Sequence, residues 1–360
     1  MANRLLAYIG TYTTRGSEGI YLYRMDAVTG GLEYLSKTVG MSNPSFLAIH
    51  PQRRYLYAVN EVAQFEGKAS GAVSAFSINA QTGELRYLNQ KHSHGTSPCH
   101  VAVEPDGRFV LVANYSSGSA CILPIGSDGQ LGEATEVVQH HGSSANPDRQ
   151  EGPHAHSANL DPSGRHVLIA DLGLDRIMLY RLDPAGGKLV PHTQPWASLK
   201  SGAGPRHLAF HPSGHYVYVI NELDSTMTVF AYDAERGGLK ELQTISTLPQ
   251  DFHGTSYCAD VHVSPSGRFV YGSNRGHDSI AIFTIDEATG TLSCVGHEPT
   301  LGRTPRNFAI DPSGTFLLAA NQDTDTIVTF RMDQQTGRLT PTGQVASVSM
   351  PVCILLVPLP

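Results

Sequence analysis

Arg206 and Glu222 stand 16 residues apart, and the same interval separates Ser45 from Glu61, Cys99 from Tyr115, His156 from Leu172, Ala259 from Arg275 and Arg306 from Gln322. Each first member lies six residues before the proline that ends an apolar segment, and each second member closes the apolar segment that follows. A last copy contributes Val352 and, by alignment, Thr11. These positions gather arginines, glutamates, a histidine and a tyrosine, while the positions around them keep their apolar type. Arginine forks bind carboxylate and phosphate in bidentate fashion. A carboxylate or imidazole among them can move a proton. The pattern therefore predicts a site for an anionic small molecule at which proton transfer takes place. The competing reading is an Arg/Glu network that only fixes the register of the fold, because buried charge is costly unless paired or used.

The elements that carry these residues repeat. Pro44-Ser-Phe-Leu-Ala-Ile-His-Pro51 recurs as Pro98 to Pro105, Ala155 to Pro162, Pro205 to Pro212, Cys258 to Pro265, Pro305 to Pro312 and Pro351 to Pro358, at steps of 46 to 57 residues. Each of the first six copies runs through a turn, such as Asp161-Pro-Ser-Gly164, into a second apolar run such as Tyr216–Ile220. An alternating third run follows (Ser279–Ile285), then an Asp-x-x-Thr-Gly-x-Leu turn (Asp286–Leu292) and a more polar fourth. β-Branched and aromatic residues in alternation, punctuated by Gly, Pro and Asp, predict strands. Four strands per repeat predict the blade of an all-β propeller. The C-terminal copy holds only a first strand, and Leu5–Gly10, Gly19–Asp26 and Leu32–Val39 supply the other three. The chain is thus expected to be a single seven-bladed β-propeller domain over residues 1–360, each blade of four antiparallel strands. Its ring is closed by pairing the N-terminal strands with the C-terminal one.

Composition agrees and excludes other classes. Gly 36 and Pro 22 make about one residue in six, and charged residues are only 16%, against roughly 25% in an average chain. With a net charge of −7 and no basic run, no nucleic-acid partner is expected. No apolar stretch has the roughly 20 residues a membrane helix needs. The stretch Met1–Tyr8 has one positive charge and a very short apolar run, so a cytoplasmic protein is expected.

The 17 histidines raise the question of a metal. His154 and His156, two apart on an extended segment, share a face, but no third ligand is evident and no metal is expected. The cysteines Cys99, Cys121, Cys258, Cys294 and Cys353 are odd in number and form no Cys-x-x-Cys pair, so neither a disulfide framework nor a zinc ribbon is predicted. The recurring Asp-Pro-Ser-Gly and Asp-x-x-Thr-Gly segments read as turn chemistry, and Trp196 as packing at a blade edge. The polar insertion Gln139–Pro153 leads to His154 and His156. It is a candidate cover bringing Arg149 and Gln150 to a ligand, with a plain solvated loop as the alternative.

The segments Gly10-Thr-Tyr-Thr13, Val59-Asn-Glu61, Ala113-Asn-Tyr-Ser-Ser117, Arg149-Gln-Glu-Gly-Pro-His-Ala-His156, Gly204-Pro-Arg-His207, Val219-Ile-Asn-Glu222 and Ser273-Asn-Arg275 resemble those of the seven-bladed lactonase family. That family includes propeller-type 6-phosphogluconolactonases and carboxy-cis,cis-muconate cyclases. The resemblance spans essentially the whole chain. It implies hydrolysis of 6-phospho-D-glucono-1,5-lactone, in the pentose phosphate pathway, by general-base attack of water with arginine stabilisation, and it implies no cofactor. The family's catalytic cluster carries over onto His156, Arg206, Glu222 and Arg275, with His154 as the alternative histidine and His156 or Glu222 as base. Substrate contacts are expected from His154, Arg306, Glu61, Tyr115, His100, Arg149 and Gln150. The partner expected is a small anionic sugar lactone, with no membrane, and the protein a monomer or weak homo-oligomer. The alternatives are a cycloisomerase forming a muconolactone, a lactonase for another sugar or carboxylated lactone, and a non-enzymatic binding propeller.

Overall fold

The computed structural model describes residues 4–359; the ends of the expected domain, residues 1–3 and 360, lie outside them. Seven four-stranded antiparallel sheets follow one another around a ring. The sheet that closes it pairs Pro351–Leu359 with Arg4–Thr11, which continues into Gly19–Met25 and Leu32–Val39. Tyr8 lies opposite Leu355 and Ile9 opposite Ile354 in that junction. We number this sheet blade 1. The others are blade 2 (residues 47–92), blade 3 (98–139), blade 4 (155–198), blade 5 (205–246), blade 6 (257–299) and blade 7 (305–347).

Each strand buries one face against the next blade, so the core is divided into seven clusters, one per blade interface. The cluster between blades 1 and 2, for example, joins Leu6, Tyr8 and Ile20 to Leu56 and Phe76. A polar latch recurs beside these clusters. Tyr57, Tyr218 and Tyr271 donate from their second strands to the carbonyls of Gly129, Gly290 and Gly337 in the following blade, at 3.1, 3.1 and 2.9 Å. Those glycines end tight turns. Asp286 Oδ1 accepts the amides of Ala288 and Thr289 at 3.0 and 2.9 Å. Gly290 then adopts φ +73°, where a Cβ would lie 2.3 Å from the Tyr216 ring, so the position demands glycine. Trp196 lies on an outer strand, partly exposed, with the Arg176 guanidinium 4.2 Å above its ring. Among the described residues no helix is long and apolar enough to cross a membrane.

The first strand of each blade lines the central channel, and in six blades its pairing slips near the channel mouth. The register shifts between Pro98 and His100, Ala155 and Ser157, Pro205 and His207, Cys258 and Val261, Pro305 and Asn307, and opposite Gly10/Thr11. Cys99, His156, Arg206, Ala259, Arg306 and Val352 therefore fall on β-bulges, and a bulged residue escapes the alternation and re-aims its side chain. The residue paired across from Pro205 is Asn221, so Glu222 lies one step beyond its strand. The same register pairs Pro351 with Thr11, which makes Thr11 the equivalent of Asn221 and Tyr12 the equivalent of Glu222. The expected mouth position Thr11 is corrected accordingly. Thr11 is fully buried and bonded to Ser17 and to the Gly19 carbonyl.

Candidate functional site: an arginine-lined channel mouth

Two cavities meet at this mouth. The larger, about 380 Å3, is lined by Glu61, Cys99, Tyr115, Arg149, His156, Glu222, Tyr257, Arg275 and Arg306. The smaller, about 10 Å3, has room for one water and lies deeper, among Tyr12, Ser45, Phe46, Glu61, Cys99, His156, Arg206, His207, Arg306 and Val352.

Glu222 is the hub of one wall. Arg206 Nε donates to its Oε2 at 3.0 Å and Arg149 Nη2 to its Oε1 at 2.6 Å, while Arg275 Nη2, bonded to the Cys258 carbonyl, forms an ion pair with Oε2 at 2.8 Å. Burial alone would raise the Glu222 pKa. The guanidiniums of Arg275, Arg206 and Arg149 overcome it and hold the carboxyl far below the usual range. Arg206 is fixed further by the Ala259 carbonyl at 2.5 Å. Its own pKa is brought down to about 10 by burial and by Arg275 and Arg306. His156 Nε2 lies 3.9 Å from Glu222 Oε2 and its Nδ1 3.7 Å from the Cys99 sulfur. Burial, with Arg206, His207 and Arg306 nearby, pushes this imidazole well below its ordinary pKa and keeps it neutral. Burial likewise pushes the Cys99 thiol up.

The opposite wall holds Glu61 and Arg306. The Glu61 carboxylate accepts Ser45 Oγ at 2.5 Å and Tyr12 OH at 3.0 and 3.1 Å. Arg306 lies with its guanidinium 5.4 Å from the Tyr12 ring centroid. Among the described residues it has neither a hydrogen bond nor a salt bridge. Burial works against its charge, and Tyr12 and the carboxylates of Glu61 and Glu222 around it nevertheless keep it firmly cationic.

Below the mouth the channel is filled by a second polar cluster. His207 Nδ1 and His262 Nε2 donate to Asp260 at 2.8 and 3.0 Å, and Asn307 Nδ2 at 2.5 Å. Among the described residues no group of three or more His, Cys, Asp or Glu side chains is placed to hold a metal ion.

The structure thus brings His156, Glu222, Arg206, Arg275, Arg306, Glu61, Tyr115 and Arg149 together. It does not bring His154, His100 or Gln150 to either cavity. His154 stacks on the outer side of the Tyr115 ring, centroids 4.6 Å apart, with Glu151 on its Nε2. His100 lies below the mouth against Phe46 and His207. Gln150 is fully buried and ties the insertion down through Asp175 and the Leu172 carbonyl, both at 2.8 Å. Leu172 and Gln322, although in ring positions, line neither cavity. The missed lining residues are Tyr12, Phe46, His207 and Tyr257. A bulge count across the closing strand would have found Tyr12; the others have no 16-residue partner to reveal them.

Comparison with known proteins agrees with this architecture. Residues 6–356 match the family described as lactonase, 7-bladed beta-propeller. The 6-phosphogluconolactonase of Bacillus subtilis is 38% identical over 308 residues, covering 86% of this chain and 85% of the relative. That of Serratia proteamaculans is 38% identical over 82% of each. Among solved structures, the periplasmic gluconolactonase of Pseudomonas aeruginosa superposes with a TM-score of 0.94 at 34% identity, over 99% of this chain and 100% of that one. The family match over residues 6–356, which spans all seven blades, together with relatives of this identity and coverage, places the chain in the seven-bladed β-propeller lactonase family and makes it a lactone-hydrolysing enzyme.

Proposed function

We propose that the protein is a 6-phosphogluconolactonase, opening 6-phospho-D-glucono-1,5-lactone to 6-phosphogluconate in the large cavity. The observation that carries this reading is Arg306, a half-buried guanidinium without a hydrogen-bond partner among the described residues, which faces a cavity of about 380 Å3, within the size range of small-molecule sites. Around the two cavities four guanidiniums (Arg149, Arg206, Arg275, Arg306) oppose two carboxylates (Glu61, Glu222), a formal excess of two positive charges. A phosphate monoester carries nearly that much negative charge at neutral pH. The names of the Bacillus and Serratia relatives support the same substrate.

In this reading Arg306 takes the phosphate. The tetrahedral oxyanion forms against the Glu222 wall, where Arg206 and Arg275 are already oriented, so little reorganisation is needed as charge develops. Glu222 is the counter-ion that sets this array. The three guanidiniums that hold its pKa far below the usual range make it a poor proton acceptor, which removes it as the base. The proton acceptor is then one of the two groups lining both cavities that can take a proton, His156 or Glu61. The reading places the enzyme in the cytoplasm, in keeping with five free cysteines.

The test is hydrolysis of 6-phosphogluconolactone, D-glucono-1,5-lactone and a carboxymuconate side by side, with spontaneous ring opening subtracted. The expected result is preference for the phosphorylated lactone by at least about tenfold in kcat/KM, one lost charged contact. Equal rates on the unphosphorylated lactone would assign a general gluconolactonase. Lactone formation from the muconate alone would assign a cycloisomerase.

A further inference from the structure

We infer that Glu61 is the general base of this site, held for the task by Tyr12 and Ser45, and that the one-water cavity beside it seats the attacking water. The inference rests on the lactone-opening reading above and adds the group that takes the proton.

Among the described residues only four line both cavities: Glu61, Cys99, His156 and Arg306. A water in the small cavity that attacks a carbonyl in the large one must be deprotonated by one of them. Arg306 is a cation and Cys99 a buried thiol, so neither accepts a proton. His156 is boxed in, with Glu222 facing Nε2 and the Cys99 sulfur facing Nδ1. The neutral ring best meets the Glu222 oxygen with an N–H at Nε2, and its remaining lone pair then points at sulfur rather than into the water cavity.

Glu61 is arranged differently. Among the described residues its carboxylate is bonded only by hydroxyls, from Tyr12 and Ser45, and no guanidinium there forms a salt bridge with it. A carboxylate has about four acceptor sites, so two hydroxyls fix its plane and leave lone pairs for water. Tyr12 is kept protonated by burial, so it remains a donor. Blade 1 and blade 2 thus aim a carboxylate that the arginines of blades 5 and 6 do not neutralise.

The step balances with the groups present. The water oxygen bonds to the lactone carbonyl carbon as its proton passes to Glu61, and the carbonyl becomes an oxyanion. Collapse re-forms the carbonyl and breaks the bond from that carbon to the ring oxygen. The ring oxygen leaves as an alkoxide and takes the proton back from Glu61. The new carboxylic acid gives its own proton to solvent.

The experiment is steady-state hydrolysis of 6-phosphogluconolactone by the full chain, with Glu61→Gln, Glu61→Ala and His156→Ala. Glu61→Gln keeps the volume and one acceptor for the hydroxyls. Its kcat should fall by about 10²–10⁴, the usual yield of general base catalysis, with KM within about threefold. Added formate should raise the kcat of Glu61→Ala by at least about tenfold by standing in for the lost carboxylate. A Glu61→Gln variant that keeps a third or more of wild-type kcat overturns the assignment. So does rescue of His156→Ala by imidazole together with failure of formate on Glu61→Ala. Failure of the lactonase reading itself is separately visible, since the wild type would then open none of the lactones.

Discussion

Glu61 and Glu222 occupy the same place in two copies of one repeat, each following an asparagine at the end of a second strand, and they have become different chemical objects. Glu222 is buried and receives three guanidiniums. Glu61 is half-buried and receives two hydroxyls. The backbone repeat therefore decides where a carboxylate is delivered, and the neighbouring blades decide what it does. A carboxylate held by arginines orders positive charge, whereas one bonded only by hydroxyls has no cation bonded to it.

The hardest test of this contrast is to delete each carboxylate. Glu222→Ala leaves Arg149, Arg206 and Arg275 converging without their counter-ion, and breaking a buried ion pair costs about 3–5 kcal/mol. Urea unfolding at neutral pH should show a loss in that range, with lactonase kcat down by at least about a hundredfold as the arginines separate. Glu61→Ala should cost only about 1 kcal/mol, one ordinary hydrogen-bond increment. Equal stability losses at the two positions would erase the distinction.

Titration probes the same channel without mutation. His100 and His156 are driven well below their ordinary pKa by burial, and His207 to about 4 by burial and Arg206. Their folded pKa values lie below the unfolded one near 6.5, so the unfolded chain binds more protons as pH falls, and stability is lost from about pH 6.5 downward. His262 works the other way. Asp260 overcomes its burial and raises its pKa, so its contribution is present at low pH and fades as pH rises through the raised value. Three groups against one, the one partly exposed, leave a net loss of stability between pH 7 and 5.5. The depressed Glu222 and Asp260 add their losses only below about pH 4, where unfolded carboxylates protonate. Denaturant midpoints at these pH values check the order of the two phases.

Arg306 sharpens the contrast from the cation side. Replacing it with Met removes a half-buried charge that has no hydrogen-bonded partner among the described residues, so stability should hold or rise. The KM for 6-phosphogluconolactone should rise about tenfold or more, the worth of a charged hydrogen bond of about 1.5–3 kcal/mol. The KM for unphosphorylated gluconolactone should change little. A parallel rise for both lactones would remove Arg306 from the phosphate and place it at the reacting carbon.

Much of this was legible in the sequence, and what was not has a physical cause. The strand expected over Leu32–Val39 is found with those bounds, because turns that need Gly and Asp mark its limits. Arg206, Glu222 and Arg275 were placed because their spacing is fixed by strand length and a turn of constant size. The assignment slipped by one at Thr11/Tyr12, where the two ends of the chain meet across a bulge and no continuous spacing links them. His154, two residues from His156, was expected on the same face. The bulge that points His156 into the channel breaks the alternation, and Asp171 captures the His154 amide at 2.8 Å. Gln150 was expected over the ligand, but a loop needs anchors as well as a tip, and a buried amide side chain serves as one.

The tip is Arg149, and it gives the mildest test. Its guanidinium donates to Tyr115 OH at 3.2 Å and to Glu222 at 2.6 Å, and it lies 5.9 Å from the Tyr257 ring centroid. It is the only Glu222 partner delivered by a loop, and its side chain is 34% exposed, against 3% for Arg206. Exposed ion pairs contribute at most about 1 kcal/mol. Glu222 also keeps two guanidiniums when this one is lost. Arg149→Ala should therefore leave the urea midpoint nearly unchanged. The kcat/KM for the phosphorylated lactone should fall by about threefold to tenfold through weaker retention of substrate. A loss as large as that from Arg206→Ala would mean that the loop arginine acts on the transition state, and that the hub depends on its movable spoke as much as on its fixed ones.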